Sequence, residues 1–144
     1  MQRLLELTTQ MEHSVSASTL RSIVEVVKVD HLVFKFQVYR AFFGLNNMGP
    51  SEVADHTACR LGNWYYTGDG HQYYSKLPGY RELESPHAAV HRAGREAVEA
   101  LRSGDPMRGA DAVGRMEEAS ISVIDALERI AREGESSPDL FHRQ

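Results

Sequence analysis

His87 and His91 stand four residues apart in a segment where Val90, Gly94, Ala97 and Leu101 recur at helical spacing. Positions i and i+4 project from one side of a helix, so both imidazoles share the apolar face of that segment. A neutral imidazole carries one donor and one acceptor, and both need partners when buried. A metal ion meets that need by taking one nitrogen from each ring and leaving the other to a hydrogen bond. His31 repeats the feature, a polar ring within the stripe of Val24, Val27, Phe34 and Val38. Cys59 is the chain's single cysteine. It cannot form an intramolecular disulfide, so it is apolar filler, a reactive thiol or a metal ligand. Three imidazoles and one thiolate from three helices can converge in a bundle, and that donor set suits tetrahedral zinc. Hydrogen-bonded core histidines and an inert packed thiol explain the same residues one by one, and both accounts stay open on residue type alone.

The ligand count bears on function. Four protein donors close a zinc coordination sphere, whereas catalytic sites keep a position for water. The sequence has no His-Glu-x-x-His motif and no Cys-x-x-Cys pair, so a zinc-dependent hydrolase or thiol enzyme is the weaker alternative and the chain is expected not to be an enzyme.

The elements that must position these residues are read from periodicity and punctuation. A first helix is expected from Ser18 to Leu45, ended by Gly44 and Asn46-Asn47. A second is expected from Pro50 or Ser51 through Val53, Ala54, Ala58 and Leu61 to Trp64–Tyr66, carrying Cys59 along its length. A loop rich in tyrosine follows, punctuated by Gly68, Gly70, Pro78 and Gly79. Ser85-Pro86 predicts the start of a third helix, with serine as cap and proline at the first helical position, running to Ser103. Asp105-Pro106 starts a fourth by the same chemistry, with Val113, Met116, Val123, Leu127 and Ile130 on one face and Gly134 as its C-terminal cap. The expected fold is all-α, an antiparallel four-helix bundle with an N-terminal helical extension. Residues 1–17 form the extension or a linker, 18–134 the zinc-binding helical domain, and 135–144 a flexible tail.

Bulk properties narrow the class. The chain has 144 residues, 42% hydrophobic and 25% charged, which is room for one globular domain. A net charge of −4 without a Lys/Arg run argues against a nucleic-acid partner. No apolar stretch approaches the roughly 20 residues of a membrane span. Met1 to Leu7 lacks the apolar centre of a signal peptide, so the cytoplasm is the expected compartment.

Three runs, Lys28 to Lys35, Asp55 to Tyr66 with Gly68, and Leu83 to His91, together resemble the chemoreceptor zinc-binding domain family, in its order and spacing. The resemblance implies one zinc site made of His31, Cys59, His87 and His91. It also implies a mostly helical bacterial cytoplasmic domain, often homodimeric, that is fused to chemoreceptor signalling regions or diguanylate cyclases or stands alone. By the same resemblance the stimulus is zinc itself, or hypochlorous acid acting on the zinc-bound thiolate. The chain carries no cyclase motif and no long heptad hairpin, so it is expected to be an excised sensory piece or a free-standing member; the resemblance implies a second copy and a fused or separate signalling output protein as partners. A structural zinc-stabilised dimerisation module shares every one of these features; sensing rests on the resemblance. Among neighbouring residues, His56 is expected to pack or to support a ligand through a hydrogen bond. Asp30 and Asp55 either bond a metal-bound imidazole or are solvated. Trp64, Tyr65 and Tyr66 are core or dimer-interface aromatics, and His13, His71 and His142 are given no role.

Overall fold

A computed structural model describes residues 1–137 and shows an all-helical chain over them. The last seven residues of the expected flexible tail lie outside the described residues. Helix α1 (Gln2–Phe42) is followed by a 3-10 turn at Pro50–Glu52, the short helix α2 (Arg60–Tyr66), and a π-helical turn at Gly70–Tyr74. Two long helices, α3 (Pro78–Arg102) and α4 (Pro106–Ser136), complete the order.

The all-helical bundle is built on an α3–α4 hairpin, against which α1 packs, and Leu61, Trp64 and Tyr65 of α2 join the same core. Gly104, at φ +79°, makes the turn between them, and the Asp105 carboxylate accepts from the Arg108 backbone N–H (3.0 Å) to cap α4 as expected. The buried positions of α1, Ala17, Leu20, Val24, Val27, His31, Val38 and Ala41, fall three or four apart or at multiples of that spacing. That stripe lies in the groove of the hairpin, where Leu20 meets Gly134 and Phe42 meets Gly109 on α4, while Phe34 and Val38 meet Gly94 on α3. Helix α1 therefore runs antiparallel to α4 and parallel to α3. Ion pairs flank the α1–α4 seam: Arg21 with Glu128 and Glu135, Lys28 with Glu128, and Lys35 with Glu117, each at 2.8 Å.

Four boundaries differ from the sequence reading. A single helix runs through the expected junction at Ser18, because Ala17 and Leu20 already pack on the hairpin. The second helix does not begin at Pro50: residues 53–59 are irregular, and Cys59 caps α2 instead of lying within it. Helix α3 begins at Pro78, eight residues before Pro86, which sits inside it. Burial of Tyr80 and Leu83, together with a hydrogen bond from the Gly79 N–H to Glu133 Oε2 (2.9 Å), secures the added turns. Gly134 is no cap but a contact point, since a Cβ there would stand 2.3 Å from Leu20 Cδ2.

Candidate metal centre

His87 and His91 occupy successive turns of α3 and face inward, exposed by only 3% and 5%; His31 on α1 is exposed by 5%. The two α3 rings are nearly perpendicular, with centres 4.8 Å apart. Cys59 reaches them from the start of α2, its Sγ 3.3 Å from His87 Nε2. The ligand atoms of Cys59, His87 and His91 lie within 4.8 Å of one another. Three of the four residues singled out in the sequence thus meet at one point.

His31 lies apart from that trio. Its Nε2 is 2.8 Å from Ser120 Oγ on α4, which leaves the ring's other nitrogen outside that bond. Phe34, one turn further along α1, packs on His91 with ring centres 4.3 Å apart.

The irregular segment before α2 explains how the thiol arrives. His91 Nδ1 is 2.8 Å from the Ala54 carbonyl, and Arg95 Nη2 donates to the Val53 carbonyl (3.2 Å). Both bonds take carbonyls that a helix through 53–58 would have consumed internally, so α3 holds this segment out of a helix. Gly62 lets the segment double back, because a Cβ there would stand 2.0 Å from the His56 carbonyl oxygen. The Gly62 N–H donates to Cys59 Sγ (3.3 Å), as expected for a side chain capping a helix start. Arg60, next along, pairs with Asp30 of α1 at 3.2 Å.

Electrostatics favour neutral imidazoles. Burial, with the neighbouring His91, His56 and His31, lowers the His87 pKa to about 3. Burial also lowers His31 to about 4, and lowers His91 against the opposing pull of its bond to Ala54. Burial pushes the Cys59 thiol up, while the N–H groups of Gly62 and Leu61 pull it down. Neutral imidazoles are ready ligands, and a divalent ion would supply the positive charge that stabilises a buried thiolate. The tautomer also fits. Nδ1–H of His91 donating to Ala54 leaves Nε2 as a lone-pair donor, the usual way a ligand histidine is oriented. Two imidazoles and a sulfur at this separation fit zinc.

Residues 31–98 match the family model described as the chemoreceptor zinc-binding domain. These residues belong to the chemoreceptor zinc-binding domain family. The matched span begins at His31 and includes Cys59, His87 and His91. No curated protein and no solved structure matches the chain.

Other residues of this chemoreceptor zinc-binding domain fall into place around the trio. The Asp55 carboxylate accepts from Thr57 N (2.9 Å) and Thr57 Oγ1 (2.7 Å) and stands 3.4 Å from His56 Nδ1, and Asp30 pairs with Arg60. Trp64, Tyr65, Tyr74 and Tyr80 form a stacked aromatic group, and the Tyr80 hydroxyl donates to the Tyr65 carbonyl. Ser120 and the Ala54 carbonyl, which orient His31 and His91, escaped the sequence reading. A serine within the apolar stripe of Met116, Val123 and Leu127 was the signal for the first. A backbone carbonyl leaves no signal.

Among the described residues, no helix is long and apolar enough to cross a membrane.

Proposed function

We propose that the chain is a non-enzymatic cytoplasmic sensory or regulatory module that holds one Zn2+ through His31, Cys59, His87 and His91. It reports zinc level, or oxidation of the zinc-bound thiolate by hypochlorous acid, to a chemotaxis or other signalling output. The meeting of Cys59, His87 and His91 donor atoms within 4.8 Å carries the reading. His31 supplies the fourth donor from α1, with Ser120 on one ring nitrogen in the role that Ala54 plays for His91. Zinc would tie α1, α3 and the start of α2 together, so its binding free energy would become conformational free energy of the bundle. Oxidation of the sulfur weakens that tie.

A homodimer is part of the proposal. The far side of α1 carries Leu4, Met11, Val15, Val26, Val29, Val33 and Phe36, exposed by 41–71%. At about 100° per residue these side chains lie opposite the buried stripe, a second apolar face on a helix that already has one.

The test is zinc content and affinity of the wild type against Cys59→Ser. One zinc per chain is expected, bound more weakly by the variant. Because burial keeps the histidines neutral, one proton from Cys59 should leave per zinc. Affinity should then fall about tenfold per unit between about pH 7.5 and 5.5. Affinity indifferent to both acid and substitution would refute this ligand set. A site filled at every physiological zinc level and inert to oxidant would make the zinc purely structural.

A further inference from the structure

His56 stands beside the cluster but outside the proposed ligand set. Its ring centre is 5.9 Å from that of His87 and 6.5 Å from that of His91. Two imidazoles on one tetrahedral zinc, at about 2.0–2.1 Å from it, stand roughly 5 Å apart centre to centre. A shift on the order of 1 Å would therefore let His56 share an ion with both.

A carboxylate also stands near one nitrogen of the ring. Its Nδ1 faces Asp55 Oδ1 at 3.4 Å, and Asp55 is itself anchored by Thr57 and flanked by Arg95. A carboxylate on one ring nitrogen is the arrangement that orients a metal-bound histidine and leaves the second nitrogen to the ion. Connectivity adds to this. His56 precedes Cys59 by three residues in the irregular segment, and Cys59 Sγ donates to the His56 carbonyl (3.4 Å). A shift of this size by rotation of the His56 side chain leaves that backbone, held at Ala54 and beside Gly62, in place.

We propose that His56 is a reserve zinc ligand, which takes through Nε2 the coordination position left when the Cys59 sulfur departs. The inference rests on the zinc reading above. A neutral imidazole replaces an anionic thiolate, so the charge of the centre rises by one unit while the ion stays in place. Loss of the thiolate then alters the bundle without emptying the site.

The full chain tests this with zinc and with cobalt(II) as a spectroscopic substitute. Cys59→Ala should retain one metal at reduced affinity, and its cobalt form should keep the strong visible bands of four-coordinate cobalt without sulfur charge transfer. Adding His56→Ala should cost about tenfold or more in further affinity and abolish those bands. Alkylating Cys59 in the folded wild type and in His56→Ala gives the same comparison without a substitution at position 59. Equal affinities and spectra with and without His56 would overturn the proposal alone. A wild type that binds no zinc would overturn the zinc reading with it.

Discussion

Gly62→Ala and Gly114→Ala are the same chemical change on two helices, and the structure gives them opposite signs. Gly114 is exposed on α4 with nothing within 4 Å of an added Cβ. Alanine there gains about 0.5–1 kcal/mol of helix propensity, which for a chain of this length raises Tm by about 2–4 °C. Gly62 lies in α2, where the same gain applies. An added Cβ, however, would stand 2.0 Å from the His56 carbonyl oxygen and 2.8 Å from the carbonyl group of Thr57. Since Cβ contacts under 3.0 Å are essentially never seen, the backbone at 56–57 must retreat. That segment has little freedom to do so, because Ala54, two residues upstream, is bonded to His91. Overpacking of this kind costs about 1–3 kcal/mol and more where backbone must move. With the cost at the top of that range and the propensity gain subtracted, the net loss is about 2 kcal/mol, a fall in Tm of ~6–8 °C. The retreat also pulls on Cys59, whose sulfur bonds the Gly62 N–H and the His56 carbonyl, so zinc affinity should drop by at least about tenfold. Thermal unfolding of both metal-free variants, followed by zinc competition with a chelator, reads the two effects. Wild-type stability and affinity in Gly62→Ala would refute the claim that this close approach positions the thiol.

Two further expectations concern acid and assembly. The folded-state pKa values of His31 and His87, about 4 and about 3, lie below the unfolded value of 6.5, so the unfolded chain binds more protons across that interval. Their contribution to stability is complete above pH 6.5 and is lost as pH falls toward 4. At pH 5 the loss is about 2 kcal/mol for each, to be read as a falling urea midpoint of the metal-free protein; a flat midpoint from pH 7 to 5 would contradict it. Phe36→Glu, on the exposed face of α1, should shift sedimentation from dimer toward monomer and leave the unfolding midpoint of the monomer within about 0.5 kcal/mol. An unchanged sedimentation profile would remove that face from the interface.

Much of the site was legible in the sequence because helical periodicity is a local property. The i,i+4 spacing of His87 and His91 on an apolar stripe places both rings inside α3 whatever the helix packs against. His31 follows from its stripe in the same way, and the start of α4 follows from Asp105-Pro106 because a cap is made by adjacent residues. The irregular path from Val53 to Cys59 was not legible. It depends on α3 side chains donating hydrogen bonds to carbonyls some forty residues away in sequence, and on Gly62 admitting a backbone that no local pattern announces. The start of α3 depends likewise on a distant residue, Glu133, which satisfies the Gly79 N–H in the helix's first turn. Residue types and periods therefore determined which side chains face the interior and what chemistry they can offer. Only the tertiary packing decided that Cys59 caps a helix beside His87, that Ser120 engages His31, and that His56 stands within reach of the same point.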